Sequence, residues 1–203
     1  MAAKPKSRRK PNLTPERIVK TALGLAERRG WRNVRMMHVA DDLGVSLADV
    51  AACYRDMNAI ADAWFTQAQA AMLAPPPRGF AKKPAKGRLY IVITRWLDAL
   101  AAHRAVSAQM IGQKLYASHV HHWLPMIFSL SRQVHWILDA AQIESRGRQR
   151  LAEEVGGTLV VLATLRVWCR DDSDGQERTR AFLLKRLSQG DQVMARLFGG
   201  ASA

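Results

Sequence analysis

Cysteine and acidic side chains are scarce in this sequence. The two cysteines, Cys53 and Cys169, belong to no CxxC or Cys/His cluster. Their placement excludes a disulfide-rich scaffold or a zinc finger and favours a reducing compartment. The longest apolar run, 155–165, is too short to span a bilayer, and no apolar segment follows the charged residues 1–12. We therefore expect a cytoplasmic protein without a secretory signal and without integral membrane association.

Catalytic signatures are missing as well. The sequence has no Gly-rich phosphate loop, no GxSxG, no HExxH and no carboxylate pair at a spacing that indicates a reaction. Three histidines, His119, His121 and His122, lie close together with His135 further on, but no Cys, Asp or Glu stands near them to complete a metal site. We expect a protein that is not an enzyme and that uses no metal or cofactor.

Positive charge, in contrast, is abundant. Lys and Arg number 31 among the 203 residues, against 17 Asp and Glu, which gives a formal net charge of +14. Residues 1–35 carry eleven basic and two acidic side chains, and residues 74–88 carry five basic ones, whereas 36–73 is net negative. An excess concentrated in two stretches favours a polyanionic partner, either nucleic acid or an acidic membrane surface.

Hydrophobic periodicity predicts helices and no strands, so the predicted fold class is all-α. We predict a flexible basic arm at 1–12, a helix-turn-helix domain with its connecting helix at 13–73, a Pro/Lys-rich linker at 74–87 and a C-terminal helical domain at 88–203. The linker assignment depends on four of the eight prolines falling in one short stretch. Helices are predicted after Gly87 and over 105–116, 123–141, 149–170 and 176–198.

Capping signals define the N-terminal helices. A first helix is predicted over 14–30, and a short one over 35–43 ends at Gly44. Ser46, with Asp49 three residues later, indicates a capping box that begins the next short helix. Two short helices joined by a tight turn beneath a longer first helix are typical of the helix-turn-helix, whose second short helix enters the DNA major groove.

The TetR family of bacterial transcriptional regulators has an N-terminal domain that this sequence resembles over RIVKTALGLAERRGWRNVRMMHVADDLGVSLADVAACYRDMNAIADAWF. The similarity includes Gly30, the following Trp31, the pair 39–40, the turn 43–46 and the aromatic Tyr54. The resemblance implies a repressor-like homodimer that binds double-stranded operator DNA. It also implies a hydrophobic small-molecule effector in the C-terminal domain.

The resemblance places DNA contacts on the basic arm, the first two helices and the recognition helix. The predicted contact residues are Arg8, Arg9, Lys10, Arg17, Arg35, Ser46, Leu47, Ala48, Ala52, Tyr54 and Arg55. Three positions depart from the family pattern, since Leu47 and Met57 stand where Lys is usual and Ala51 stands where an aromatic residue is usual. Asp49 and Asp56 flank the recognition helix and oppose binding to a polyanion unless caps or neighbouring Arg residues engage them.

Large apolar side chains of the C-terminal domain predict two further sites. The resemblance implies an internal pocket, lined by Trp96, Met110, Trp123, Phe128, Trp136, Leu162 and Trp168. Surplus apolar residues on the last two helices suggest self-association, and TetR-like proteins pair there through a four-helix bundle. The predicted dimer residues are Leu159, Val167, Phe182, Leu183 and Leu187.

A second resemblance gives an alternative function. It covers HWILDAAQIES and TLRVWCRDDSDGQERTRAFLLKRL, which are similar to some TetR ligand domains and also to ubiquinone-biosynthesis proteins that share the fold but bind lipid. Under this alternative the chain is a lipid- or isoprenoid-binding accessory protein that does not bind operator DNA. The basic arm would then meet anionic lipid instead of phosphates of a duplex.

Overall fold

The computed structural model describes residues 13–115 and 123–199, and its side-chain description leaves out 114, 115 and 123–131. Within those ranges the regular structure is helical and includes no strand, which confirms the all-α prediction. The helices are α1 (Pro15–Arg29), α2 (Met36–Leu43), α3 (Leu47–Cys53), α4 (Met57–Met72), α5 (Ala85–Ala101), α6 (Arg104–Leu115), α7 (Trp123–Ala140), α8 (Gly147–Trp168) and α9 (Glu177–Phe198).

The chain forms two compact units. The first unit combines the described residues up to Thr66 with Ala105–Met110 from the start of α6. The second unit contains Gln67–Arg104 and the described residues from Ile111 onward. The boundary therefore falls inside α4, ahead of the proline-rich segment, and a short part of the later sequence completes the first unit.

The core of the first unit is built around α1. Helix α1 begins after Thr14, whose hydroxyl accepts a hydrogen bond from the backbone N–H of Arg17 at 3.3 Å, and it ends at Gly30. Apolar residues spaced three and four apart place one face of this amphipathic helix in the core. The buried side chains of α1 are Ile18, Val19, Ala22, Leu23, Leu25 and Ala26.

Two hydrogen bonds attach the start of α6 to this core. The buried indole N–H of Trp64 donates to the Ser107 hydroxyl at 2.9 Å. The backbone N–H of Trp31 donates to Oε1 of Gln109 at 2.7 Å. Since both bonds satisfy groups that would otherwise lose their water, they explain why 105–110 belongs to the first unit.

The second unit is a helical bundle in which α9 packs on α5 and α8, and α7 also packs on α8. Its core side chains come from all four helices. They include Val92, Ile93, Trp96, Leu97, Leu100, Val134, Ile137, Leu138, Val161, Leu165, Trp168, Leu183 and Leu187.

The proline-rich segment 74–87 is anchored to the second unit. Phe80, in a 3-10 turn, is buried. The Arg95 guanidinium donates to the Ala74 carbonyl at 3.0 Å, and the Arg88 guanidinium donates to the Ala81 and Lys83 carbonyls, each at 3.4 Å. Helix α5 begins at Ala85, inside the stretch that the prolines mark as a linker, because Pro84 occupies the N-cap and its fixed φ is compatible with helix entry.

A buried carboxylate stabilises the turn between α8 and α9. Asp171 accepts hydrogen bonds from the backbone N–H of Thr179 at 2.8 Å and from its hydroxyl at 2.6 Å. It also accepts from the backbone N–H of Ser173 at 3.0 Å and from the Ser173 hydroxyl. Burial alone raises the pKa of Asp171, but these bonds outweigh it and hold the pKa well below the ordinary 3.8.

Candidate nucleic-acid interface

A glycine makes the turn between α2 and α3. Gly44 has φ 66° and ψ 34°, the left-handed conformation that costs glycine least. Its N–H donates to the Asp41 carbonyl at 3.1 Å, and the Val45 N–H donates to the Ala40 carbonyl at 3.1 Å. This pair of bonds is the Schellman motif, which satisfies the last carbonyls of α2 and directs the chain into α3.

The predicted capping box begins α3. The backbone N–H of Asp49 donates to the Ser46 hydroxyl at 3.1 Å, and the backbone N–H of Ser46 donates to Oδ2 of Asp49 at 3.1 Å. The Ser46 hydroxyl proton is directed at the same carboxylate oxygen, at 2.6 Å. The charge of Asp49 is therefore engaged by the first turn of its own helix, where the helix dipole favours an anion.

Asp56 is engaged in a similar way at the start of α4. Its Oδ1 accepts the backbone N–H of Ala59 at 2.7 Å, and its Oδ2 lies 3.3 Å from the guanidinium of Arg55. Asp49 and Asp56 flank α3, and each carboxylate accepts a backbone N–H, with Arg55 also close to Asp56. A carboxylate engaged in this way opposes a polyanion less than a free one. The Arg55 side chain remains 81% exposed in spite of the pair.

The two faces of α3 differ in character. Val50 is fully buried, whereas Leu47 is 51% exposed. The other exposed positions of the helix are Ala48, Ala51, Ala52 and Cys53. The face that points to solvent carries methyl groups and one thiol, and it has no side-chain N–H or O–H donor, so it differs from the donor-rich surfaces that usually read base edges.

The end of α3 lies beside the start of α1. The Tyr54 hydroxyl, half-buried, donates to the Pro15 carbonyl at 3.4 Å. Burial raises the pKa of Tyr54, and the nearby charge of Glu16 adds to the rise. Arg17 lies two residues beyond Pro15 in the first turn of α1, so it is close to the C-terminal end of α3. Its side chain is exposed.

The remaining predicted DNA contacts fall into two groups. Arg8, Arg9 and Lys10 lie outside the described residues. Arg35 is exposed at the N-cap of α2, where its backbone N–H donates to Nδ1 of His38 at 3.2 Å. Arg17, Arg35 and Arg55 of the first unit are each exposed, and exposed Arg residues are common phosphate contacts.

The predicted pocket residues with described side chains fall in both units. Met110 is buried in the first unit, whereas Trp96, Leu162 and Trp168 belong to the second. Trp168 is fully buried, and its indole N–H donates to Oε1 of Gln176 at 2.6 Å. Trp136 is 48% exposed and so does not line an interior site. The side chains of Trp123 and Phe128 lie outside the described part of the chain.

Trp96 has a distinctive environment. Only 6% of its surface is exposed, and its indole N–H has no hydrogen-bond partner among the described residues. A buried donor without an acceptor costs about 1–3 kcal/mol. Tryptophan is usually placed so that this group is satisfied, so an oxygen acceptor brought to this N–H would be favourable where the described residues supply none.

An open cleft of about 480 Å³ lies elsewhere in the second unit. Its lining consists of Ala85, Arg88, Gln142, Ile143, Glu144, Ser145, Gln149 and Glu153. The predicted pocket residues with described side chains are not part of this lining. Nε2 of Gln149 donates to Oε1 of Glu153 at 3.1 Å in this lining.

The predicted dimer residues divide between core and surface. Leu183 and Leu187 are buried within the chain, and Val167 and Phe182 are half-buried, whereas Leu159 is 63% exposed. Leu183 and Leu187 follow Thr179 at four-residue intervals on the inward face of α9, so they stabilise the bundle and offer no surface to a second copy. The large exposed apolar residues of α8 and α9 are Leu151, Val155, Leu159, Leu184, Val193 and Leu197.

Sequence reasoning missed most of that exposed set. The four-residue spacing of Leu151, Val155 and Leu159 on α8 was the available signal, because it places three branched side chains on one stripe. On α9 the sequence gives two adjacent leucines, Leu183 and Leu184, and only the packing shows which of them is inward.

The described residues include neither a cluster placed to bind a metal ion nor a helix able to span a membrane. Over 13–115 and 123–199, no group of three or more His, Cys, Asp or Glu side chains is placed to hold a metal ion. His119, His121 and His122 lie outside those ranges. No helix in the described ranges has the length and apolarity needed to cross a membrane.

Solved structures provide the clearest comparisons. The chain is similar to a TetR transcriptional regulator from Nitrosomonas europaea ATCC 19718, with 35% identity and a TM-score of 0.77 over 88% of this chain and 98% of that one. A TetR regulator from Rhodococcus sp. RHA1 shares the fold at 19% identity and a TM-score of 0.63, over 86% of this chain and 93% of that one. A TetR-family regulator from Streptomyces coelicolor does so at 17% identity and a TM-score of 0.64, over 92% and 83%. The sequence matches no protein-family model and no curated protein.

Proposed function

Because this chain belongs to the TetR family of transcriptional regulators, we propose that it binds operator DNA in the cytoplasm as a homodimer. We also propose that a hydrophobic small molecule in the second unit modulates that binding. The observation that carries the proposal is the α2–α3 pair, in which a Schellman turn and a capping box hold α3 with Val50 inward and its outer face in solvent. This is the geometry that a recognition helix needs to enter a major groove.

Homodimerisation is supported by the apolar surface of α8 and α9. Leu151, Val155 and Leu159 on α8 and Leu184, Val193 and Leu197 on α9 are each at least 50% exposed. On α8, Leu151, Val155 and Leu159 recur every four residues and so form one exposed apolar stripe, a surface of the kind that marks an interaction site. A second copy related by a two-fold axis would cover it with the same residues and would place two α3 helices on a palindromic operator.

Effector binding is supported by Trp96. Its buried N–H would gain an acceptor if a ligand with a carbonyl, ether or hydroxyl oxygen reached it, and the burial of the ring favours a ligand that is otherwise hydrophobic. The ligand can change DNA affinity only if it prefers one dimer geometry over the other, since equal affinity for both shifts nothing.

Selection of genomic fragments tests DNA binding directly. The full chain is incubated with sheared genomic DNA of its own organism at two salt concentrations, and retained fragments are sequenced. We expect a small set of promoter fragments whose retention falls steeply with salt. Retention of no preferred fragment at low salt would contradict the proposal and would fit a fold that has lost operator recognition.

A pair of variants locates the interface. Ala52→Glu adds one negative charge to the exposed face of α3, and Ala70→Glu adds the same charge to an exposed position of α4. We expect Ala52→Glu to weaken fragment binding at least tenfold, because like-charge contact with a duplex is costly. Ala70→Glu is the matched control and should bind within about twofold of the unmodified chain, since added charge at a distance is largely screened.

A further inference from the structure

We propose that α3 selects its operator mainly through the C5 methyl groups of thymine in the major groove, with Leu47 as the principal reading residue. This inference rests on the proposed DNA binding and specifies which bases are read. Phosphate contacts then supply affinity from other parts of the first unit.

The first step is the set of groups that α3 can offer to bases. Leu47 is half-exposed, and Ala48, Ala51 and Ala52 are exposed on the same short helix. None of these side chains donates or accepts a hydrogen bond. The outer face of α3 can therefore make apolar contacts, and its only other exposed side chain is the thiol of Cys53, a weak donor.

The second step concerns the hydroxyl groups at the two ends of α3. The Ser46 hydroxyl accepts the Asp49 N–H and directs its one proton at the Asp49 carboxylate, 2.6 Å away. The Tyr54 hydroxyl is half-buried and donates to the Pro15 carbonyl. A base that recruited either hydroxyl as a donor would have to break a bond within the protein first.

The third step is the chemistry of the groove. Guanine, cytosine and adenine present hydrogen-bonding groups but no methyl group at their major-groove edges, whereas thymine presents a methyl group beside one acceptor. An apolar face gains by covering that methyl group. The same face would bury a polar edge of another base without a partner, which is unfavourable, so it selects against those bases as well as for thymine.

The fourth step is charge complementarity around the face. The carboxylates of Asp49 and Asp56 are held by backbone N–H groups of their own helices, which limits their opposition to the duplex. Arg17 lies next to the end of α3, through the contact of Tyr54 with Pro15, and Arg35 is exposed at the start of α2. The first unit thus combines an apolar reading face with flanking cations. In a duplex, the methyl groups complement the apolar face and the phosphates complement the cations.

The experiment uses uracil, which lacks the methyl group but keeps the hydrogen-bonding groups of thymine. A duplex is first selected by the full chain from a library with a randomised 30-base-pair core. The selected duplex is then synthesised with uracil in place of thymine one position at a time, within the protected core and in the flanks. We expect affinity to fall about fourfold for each contacted methyl group, and flanking substitutions to have no effect.

Two variants assign the reading residue. Leu47→Ala should abolish the uracil penalty at one or more core positions, because the side chain that covers the methyl group is gone. Met37→Ala truncates a second half-exposed apolar side chain, on α2, and should leave the penalty as it is. Circular dichroism of both variants verifies that the helices are intact.

The outcomes separate the two proposals. Equal binding of thymine and uracil duplexes would overturn methyl reading and leave operator binding standing. A uracil penalty that persists unchanged in Leu47→Ala would overturn Leu47 as the principal reading residue, since another group would then cover the methyl groups. Selection of no sequence at all would overturn both this inference and the proposed function.

Discussion

The hydroxyl oxygen of Ser46 lies 2.6 Å from Oδ2 of Asp49, and each residue caps the backbone N–H of the other. This reciprocal arrangement places a negative charge at the edge of the proposed DNA-reading helix. The charge stabilises the helix through its first turn and repels a phosphate backbone at the same time. Stability and affinity are therefore expected to change in opposite directions when it is removed.

Asp49→Asn tests that opposition. Asparagine keeps an acceptor for the Ser46 N–H but removes the charge, so we expect a loss of about 0.5 kcal/mol in the free energy of unfolding and a severalfold gain in affinity for the selected fragment at low salt. Thermal melts and a fluorescence titration measure the two. The control Asp49→Ala keeps the Ser46 cap but removes the acceptor for the Ser46 N–H, and should lose about 1 kcal/mol. Weaker DNA binding by Asp49→Asn, with its melt unchanged, would show that the carboxylate aids binding.

Deletion of residues 1–12 tests the basic arm. The segment holds Lys4, Lys6, Arg8, Arg9 and Lys10. Each phosphate that is no longer neutralised reduces the slope of log affinity against log salt by about 0.9. We expect the slope to fall by roughly 3 to 4 if most of these residues reach phosphates. The double variant Lys82→Gln and Lys83→Gln removes exposed charges from the second unit and should leave the slope unaltered. An unchanged slope after the deletion would rule out the arm as a source of phosphate contacts.

Leu159→Glu and Leu197→Glu test the dimer surface. Both side chains are largely exposed, at 63% and 65%, so the folded monomer should tolerate the change while a dimer buries an unpaired carboxylate. Sedimentation velocity should show a shift from dimer to monomer. Leu183→Ala is the contrasting variant, because Leu183 is fully buried and its truncation should cost about 3 kcal/mol of stability. A dimer that survives both glutamates would place the interface elsewhere.

Asp171→Asn tests the buried turn and its pH dependence. The folded-state pKa of Asp171 is depressed below 3.8 by the hydrogen bonds from Ser173 and Thr179, which outweigh burial. Its contribution is therefore complete well above pH 3.8 and is lost as pH falls towards the folded-state pKa. Urea unfolding should show the variant about 2 kcal/mol less stable at pH 7, with a smaller difference at pH 3.

Asp172→Asn is the matched control for that measurement. Its carboxylate is 81% exposed and pairs with Arg178 at 3.0 Å on the surface. An exposed pair contributes at most about 1 kcal/mol, so this variant should stay close to the unmodified chain at both pH values. If the difference between Asp171→Asn and the unmodified chain were constant from pH 7 to pH 3, folding would not lower the pKa of Asp171.

The all-α fold and the ends of the first helices could be predicted because their signals are local. Thr14, Gly44 and the Ser46–Asp49 box each act within a few residues, and the structure has each cap where the sequence indicates it. The same locality explains the recognition-helix boundaries. Local signals do not identify contacts between residues that are distant in sequence. The bond between Trp31 and Gln109, which are separated by 78 positions, is an example.

The burial of individual apolar residues in the C-terminal helices was harder to predict for a different reason. Apolar residues on a helix of a bundle serve either the core of one chain or a surface between chains, and periodicity alone does not distinguish these uses. Adjacent leucines such as Leu183 and Leu184 differ by about 100° around the helix, and the neighbouring helices decide which is inward. Trp136 illustrates the same limit, since its size predicts burial and its position leaves it half in solvent.

The contact between Tyr54 and Pro15 fixes where any N-terminal extension departs from the head. Twelve residues, fully stretched, cover at most about 40 Å, which is roughly the length of one turn of a duplex. On each half-operator, nuclease protection should therefore extend beyond the bases covered by the recognition helix by no more than about ten base pairs. The footprint of the complete dimer is set as much by this point of departure as by the spacing of its two heads.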